Sequence, residues 1–463
     1  MRVYAKAVAI VTLLGLWQAP LGWSEEIPPG KQVLTLQDCL ARALASAPEL
    51  GEAQADLELT ASKLAEAKAH RYPQIDFTGL AGPVPQARGD QVSSPDSIHQ
   101  TDRWTWFARG DATLIQPLYT FGKIAENMKA ATHGMEVDRA KKTQSRNEVA
   151  LKVKEYYYGL LLARELKELL LEVREDLSKA RDKARKLLDQ ESESVEEMDL
   201  YKLDTFAGGV EKYLEEAKKG EALALAALRS RMNLPPDADL EIATARLTPE
   251  EGQISVLQAY LEASRDHRPE YRQVREGLQA RAALVKAAKA AWYPDIFLAG
   301  YLSGAYAEKR DRVTNPWVPD QFNHYWGGVA LGVKWKLDFG ITSAKVAGEQ
   351  AQYDRLLYTK EFADRNIPLQ IRKFYLDLQE AEHSIKSTRD GYSNAKKWSV
   401  AALNNFDFGI GPAKEIFDGL QEYAKMRAAY FQSIYNYQIA LANLAYATGE
   451  EPLAAKRQKQ AQP

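Results

Sequence analysis

Two acidic residues sit where a helix restarts after a tight turn. Glu415 and Asp418 follow Gly409-Ile410-Gly411-Pro412, and their i, i+3 spacing puts both carboxylates on one helical face. Such a pair can attract cations. It can equally be an ordinary helix start, where the dipole favours negative charge. Spacing alone does not separate the two. No group suited to bond-making accompanies them. The histidines His70, His99, His133, His267, His324 and His383 are scattered, with no HExxH pair, glycine-rich phosphate loop or cysteine cluster. Gly409-Ile410-Gly411 has no strand before it and reads as a turn between helices, not a nucleotide loop. Six methionines and one cysteine argue against a soft-metal relay. These residues point to no enzyme, no cofactor and no resident metal.

Composition narrows the class further. The 463 residues carry a formal net charge of −2, with basic and acidic residues interspersed, so nothing suggests nucleic acid. Mean hydropathy is −0.42. Beyond the N-terminus no run of about 18 apolar residues occurs, which excludes a bundle of transmembrane helices. Any membrane contact must use strands or the surface. Residues 1–24 read as a signal peptide: Arg2 and Lys6 are basic, Ala7 to Trp17 is apolar and too short to span, and Gly22 and Ser24 suit cleavage near Ser24–Glu25. The single cysteine, Cys39, cannot form an internal disulfide. The preceding Leu36-Gln37-Asp38 lacks the small residues of a lipoprotein signal, so no lipid anchor is expected there.

The elements that would position the acidic pair come from hydrophobic period. Tyr325, Gly327, Val329, Leu331, Val333, Trp335 and Leu337 alternate with Trp326, Gly328, Ala330, Gly332, Lys334 and Lys336. Period two predicts a β-strand with one apolar face and one small or cationic face. A soluble sheet and a barrel strand between lipid and a watery lumen give the same pattern. The neighbouring stretch is unusual. After Asp338-Phe339-Gly340 a charged helical run extends to about Phe406. A helix of roughly 65 residues is roughly 100 Å long at about 1.5 Å per residue.

The chain is duplicated. Leu36-Gln37, Pro48-Glu49, Ala67-Lys68-Ala69 and Tyr72-Pro73-x-Ile75 recur 221 residues later as Leu257-Gln258, Pro269-Glu270, Ala288-Lys289-Ala290 and Tyr293-Pro294-x-Ile296. Phe121-Gly122 recurs as Phe339-Gly340 at an offset of 218. Each unit predicts helix, strand, loop, strand, very long helix, turn and long helix. The first runs over 25–233, with a helix at 35–71, strands near 74–85 and 104–118, and helices at 121–188 and 195–233. The second runs over 255–448, with a helix at 255–291, strands near 294–307 and 323–338, and helices at 341–405 and 412–448. Residues 234–254 read as a connecting region and 449–463 as a disordered tail.

Heptad seams run through the helices. Ile367, Ile371, Phe374, Leu378, Ala381 and Ile385 match Val149, Val153, Tyr156, Leu160 and Ala163 of the first copy. Pro368 conflicts with a straight helix, and a kink or break near Asn366 is expected. The strand at 104–118 is less clear than that at 325–337. Its even positions are the apolar ones, the odd set includes Arg109 and Asp111, and the repeat maps even onto even. A bulge, or Arg109 and Asp111 lying above the bilayer, would each resolve the conflict. Four strands cannot close a barrel, and open edges are not tolerated in lipid. If the strands span a membrane, several chains must share one barrel, and three would give twelve strands.

Signal peptide, duplicated strand–helix units and four strands together resemble the TolC family of outer-membrane efflux proteins. Local matches are Tyr72-Pro73 and Tyr293-Pro294 before strands, Gln116-Pro117-Leu118-Tyr119 leading into a helix, and Phe406-Asp407-Phe408-Gly409 followed by Glu415-Ile416-Phe417-Asp418. The resemblance implies a mainly α fold with a small β part. In it, a homotrimer builds a twelve-stranded β-barrel in the outer membrane, continued by an α-helical coiled-coil tunnel across the periplasm. It implies an export duct working with a periplasmic adaptor and an inner-membrane pump, for drugs, metals, small molecules or proteins. On that resemblance Glu415, Asp418 and Glu197 match acidic positions at the tunnel mouth, and Val329, Leu331, Val333 and Trp335 face lipid. Phe406 and Gly411 stand where the best-studied member has a tyrosine and an arginine, so its hydrogen-bonded lock is not expected here. A soluble periplasmic coiled-coil scaffold or adaptor is the competing reading, although adaptors carry a many-stranded soluble β-domain that this sequence lacks.

Overall fold

The computed structural model describes residues 32–89, 98–190, 195–249, 254–408, 410 and 412–450. The signal peptide, the tail beyond 450 and Gly411 lie outside the described residues.

Each half opens with two helices where one was expected. In the first half, α1 (Leu36–Ser46) is followed by α2 (Pro48–Ala69). In the second, α5 (Leu257–His267) is followed by α6 (Pro269–Ala290). Pro48 and Pro269 cause the breaks. Each occupies the first position of its helix, and Ala47 and Arg268 before them are extended. Proline pushes its predecessor out of the α region and suits the first helical turn. Thr35 starts α1 with a capping box, its hydroxyl accepting from the Asp38 N–H at 3.2 Å. Cys39 lies fully buried in α1, and burial pushes its thiol up to about 11.

Strands β2 (Gln74–Arg88), β3 (Ile98–Tyr119), β5 (Asp295–Ala307) and β6 (His324–Lys334) form one antiparallel sheet in the order β2-β3-β5-β6. β6 ends short of the expected limit, so Trp335 and Leu337 lie beyond it. Helices α3 (Lys123–Asp189) and α7 (Ile341–Asp407) leave the sheet and are each 67 residues long. They return as α4 (Glu197–Arg231) and α8 (Ala413–Thr448). Both strand-to-helix junctions use the repeated Phe-Gly pair. Phe121 and Phe339 have φ of 51° and 44°, and Gly122 and Gly340 have 92° and 145°. Left-handed backbone is uncommon for a phenylalanine, so the same tight corner is built twice.

Pro368 does not break α7. The helix is continuous through it, and the Asn366 side chain donates to the Phe362 carbonyl at 2.9 Å. An interior proline costs about 3 kcal/mol. Ile367, Ile371 and Leu378 are buried on the same helix, and each fully buried side chain contributes about 1.5–3 kcal/mol, enough to hold the turn.

The predicted seams form the core. Val149, Val153, Leu160, Ile371, Leu378, Ile434 and Leu444 share one cluster, and Val173, Leu177, Ala184, Leu203, Ile416 and Leu420 share a second, toward the turns. In the first copy Tyr156 packs against the cluster partly buried, and the neighbouring Tyr157 is fully buried in it. The connecting region holds more than a linker. Its β4 (Leu240–Ile242) pairs in parallel with β1 (Gln32–Leu34), joining the start of the first half to its end. The region is also pinned to α3, because the Leu247 N–H donates to buried Glu165 at 3.1 Å.

Burial pushes the Glu165 carboxyl above its ordinary value, against the pull of the Leu247 N–H. Glu165→Gln keeps an acceptor oxygen and removes the disfavoured charge, so thermal unfolding at neutral pH should match or exceed wild type. Glu165→Leu strands the Leu247 N–H and should cost about 1–3 kcal/mol. A carboxyl with a raised folded-state pKa holds its proton longer in the native state. Wild type should therefore gain on the glutamine variant as pH falls toward the ordinary carboxylate range. A glutamine variant less stable than the leucine variant would refute this.

Candidate functional site

The strand register settles which residues share a face. Gln74 pairs with Ile115 and Phe77 with Ala112, so odd positions of β2 lie with even positions of β3. Ala112 pairs with Leu302, and Leu302 in turn with Gly327, which carries the face to even β5 and odd β6. One face thus holds Ile75, Phe77, Trp104, Trp106, Leu302, Tyr306, Tyr325, Val329, Leu331 and Val333. All of these are exposed in the protomer. The opposite face holds Arg109, Asp111, Ser303, His324, Gly328, Ala330, Gly332 and Lys334.

A bulge explains the parity conflict in β3. Pro117 pairs with Phe297 but Tyr119 pairs with Ile296, leaving Leu118 as an extra residue. One inserted residue flips every side chain beyond it to the other face. Even positions of β3 therefore match odd positions of β6. Arg109 and Asp111 belong to the polar face and are not stranded on the apolar one. Arg109 donates to Asp111 from Nε at 2.8 Å, the Ser303 hydroxyl donates to Asp111 at 2.5 Å, and Ser303 Oγ lies 2.8 Å from His324 Nε2.

Aromatic residues cluster at both ends of the apolar face. Trp104, Trp106, Tyr306 and Tyr325 stand at one end, and Tyr72, Tyr119, Trp292, Tyr293 and Trp335 at the other, all exposed. At the second end Phe121 stacks on Tyr293 at 4.9 Å and Trp335 donates to the Trp292 carbonyl at 3.1 Å. The ten residue steps from Tyr325 to Trp335, just past the end of β6, span about 34 Å of extended chain. At a tilt of about 40° that is about 26 Å of height, close to the ~25 Å apolar band of an outer-membrane barrel. At the first end the 308–323 loop folds onto the polar face: Phe322 packs on Phe107 at 5.3 Å, and Arg310 lies 3.8 Å from the Phe322 ring.

At the far end of the long helices the acidic residues point away from the seam. Glu415 is exposed and Asp418 half-buried, while Ile416 and Leu420 beside them are buried. Trp398 Nε1 reaches Glu415 at 3.3 Å. Glu197 is exposed in the first turn of α4 and accepts from the Tyr201 hydroxyl at 2.7 Å. Phe406 is only 2 % exposed and belongs to the core between the hairpins. Lys183 lies 5.1 Å from the centre of its ring and donates to the Phe406 carbonyl at 3.1 Å and to Asp407 at 2.7 Å.

A second tie between the hairpins escaped sequence reasoning. Tyr423 donates to Glu172 at 2.7 Å, and buried Arg427 pairs with the same carboxylate and donates to the Tyr423 hydroxyl at 2.7 Å. Burial raises the Glu172 carboxyl, but the bonds from Tyr423 and Arg427 outweigh it and hold the group below its usual value. Tyr423 and Arg427 are one turn apart, but no local pattern links them to Glu172 on α3.

An antiparallel sheet that is apolar on one face, polar on the other and banded by aromatics is a section of barrel wall. Continued by paired 67-residue helices, it defines a duct of the outer-membrane channel class. The chain matches the outer membrane efflux protein family over residues 39–190 and 260–450 and belongs to that family. Its fold is shared with solved channels. The Vibrio cholerae outer membrane protein VceC is 17% identical, with 90% of this chain and 96% of that chain covered, at a TM-score of 0.72. The Campylobacter jejuni outer membrane channel CmeC is 16% identical, with 99% and 97% covered, at a TM-score of 0.72. The Neisseria gonorrhoeae outer membrane channel MtrE, solved in an open state, is 16% identical, with 90% and 89% covered, at a TM-score of 0.72. No curated protein matches in sequence. The chain is thus an outer-membrane efflux duct extending into the periplasm, and not an enzyme. The soluble scaffold reading is not favoured.

Cutting the tie at Glu172 tests the geometry of the tip. Arg427→Met should destabilise by about 1–3 kcal/mol, less than a fully buried pair would, because Glu172 is partly exposed. Adding Glu172→Gln should cost little more than the single change. Fully additive losses in a double-mutant cycle would show that the two residues do not interact.

Proposed function

We propose that three copies close into one duct, with twelve strands in the outer membrane and the paired helices forming a tunnel across the periplasm. The observation that carries this is the pair of sheet edges. Among the described residues β2 and β6 each lack an outer partner, and the face they border is apolar. Pairing β6 of one copy with β2 of the next satisfies both edges. The interface is head-to-tail and closes when the rotation per copy completes a ring. The helices follow the same order, since α3 packs against α2 and α6, and α6 against α7. On α7, Tyr358, Phe362, Leu369 and Leu376 are exposed at spacings of 4, 7 and 7. Among the described residues nothing covers that second heptad stripe, and it fits the neighbouring copy.

In this reading Val329, Leu331, Val333 and Trp335 meet lipid. The turns before Glu197 and before Ala413 face the periplasm, where a periplasmic adaptor and an inner-membrane pump engage the duct. The loop at 308–323 lies outside. Glu415 and Asp418 from three copies ring the tunnel mouth, with Glu197 beside them. Rings of carboxylate favour cations. Phe406 contributes to this gate only as packing that fixes the hairpins, because its side chain is buried. The lock of the best-studied relative is replaced by the Lys183 and Arg427 ties.

Paired substitutions on neighbouring residues test the membrane face. Leu331→Arg should cost about 2–4 kcal/mol near the midplane and reduce the yield of heat-sensitive trimer. Ala330→Arg, on the opposite face, should assemble. Equal yields would remove the lipid assignment, and a monomer in mild detergent at every concentration would remove the shared barrel. The gate is tested by single-channel currents in planar bilayers under a salt gradient. Wild type should prefer cations and be blocked by multivalent cations from the turn side only. Glu415→Ala with Asp418→Ala should weaken both effects while the trimer survives, because neither residue lies in the seam. Unchanged selectivity would leave these acids as ordinary helix-start residues.

A further inference from the structure

Where the strands meet the long helices, a cavity of about 910 Å³ opens against the polar face of the sheet. Ile115, Phe297 and Lys334, from three adjacent strands, form its floor, and Lys63 of α2, Ile124 of α3 and Leu284 of α6 form its walls. The floor is preformed. Phe297 lies directly opposite Gly332, and a Cβ on that glycine would collide with the Phe297 ring. The ring therefore occupies space that any other residue at 332 would fill.

The charges of the cavity are not balanced within the protomer. Two carboxylates line it, Asp295 and the exposed Glu66, and Asp295 is engaged by Lys123. Among the described residues no ion pair occupies Lys63 or Lys334, both exposed. The result is an apolar surface of drug-like size with two free ammonium groups beside one free carboxylate.

We propose that this cavity is a resting subsite on the export route for amphiphilic anions. The apolar body of the ligand lies against Ile115, Phe297 and Leu284, and its acid group is held by Lys63 and Lys334. The proposal rests on the duct reading, which puts the polar face inside the barrel. The volume suits a small organic acid and not a folded protein. The site lies where the wall changes from helices to strands, so every exported molecule passes it.

The test uses the full-length trimer in planar bilayers, with 1-anilinonaphthalene-8-sulfonate as the probe and benzalkonium as its cationic counterpart. The sulfonate should block the ion current of wild type. With Lys63→Glu and Lys334→Glu together, half-block should need about tenfold more probe or above. Phe297→Ala should weaken block by both probes. If the double glutamate variant does not assemble, Lys63→Gln with Lys334→Gln makes the same comparison with a smaller shift. A wild-type current that the sulfonate leaves untouched, or a block that neither lysine variant changes, overturns the subsite and leaves the duct intact. Stronger block by benzalkonium, relieved by Glu66→Gln, overturns the choice of an anion. No wild-type current at all overturns the duct reading itself, and the subsite with it.

Discussion

Backbone N–H and C=O groups at the free edges of β2 and β6 cannot be left bare in hydrocarbon, where each unsatisfied group costs several kcal/mol. Within one chain nothing described covers them. That one deficit organises the molecule. The sheet is too narrow to close, so in the proposed three-copy barrel membrane insertion and assembly become the same event. The apolar face is large and exposed, so the protomer is not expected to persist alone in water. The helices inherit the problem, because they continue the strands in the same order and leave α2 and α7 at the two margins.

The corners between strand and helix transmit this order. Phe121-Gly122 and Phe339-Gly340 adopt left-handed backbone in both halves, and the aromatic band lies on the same level. Asp338 accepts from the Thr342 N–H at 3.0 Å and from its hydroxyl at 2.7 Å, fixing the first turn of α7. Strand tilt in the sheet and helix direction in the tunnel are therefore set by a few residues. The cavity at this level arises from the same geometry: helices and strands diverge there, and small residues such as Ala131 and Gly134 leave room.

Much of the architecture was legible because its signals are local. Period two reveals β6, heptads reveal the hairpins, and the duplicated Tyr-Pro and Phe-Gly pairs align the halves. What failed was non-local or parity-dependent. The bulge at Leu118 shifts the parity of β3 relative to the repeated Phe-Gly corner after it but leaves no composition signal, so Arg109 and Asp111 could not be placed. β1 and β4 are three residues each and pair across the whole first half. The breaks at Pro48 and Pro269 were readable, since proline at a first helical position is a start signal, but the apolar pattern on both sides hid them. Pro368 shows the converse: an interior proline need not break a helix that buried neighbours such as Ile367 and Ile371 hold in place. At the tip, spacing put Glu415 and Asp418 on one helical face, whereas Lys183, Glu172 and Arg427 act across hairpins and have no spacing to find.

The kinds of contact in the tunnel divide it into rigid and movable parts. Within each hairpin, α3 on α4 and α7 on α8, the seam is apolar and buried over many turns. Between the hairpins near the turns, polar ties supplement the packing: Lys183 to Asp407, and Arg427 with Tyr423 to Glu172. Lys183 is 32 % exposed at its side chain and Glu172 44 %, so water can replace part of what each tie supplies, and such pairs contribute less than buried ones. An apolar seam has no comparable substitute in water. Displacement at the tip exchanges the polar ties for water and also opens apolar packing around Phe406, so it costs least when each hairpin moves whole and keeps its own seam. The acids at 415 and 418 are carried on the first turns of one such body. A change in the proposed mouth is then a change in where α7 and α8 stand together, not in how either is folded.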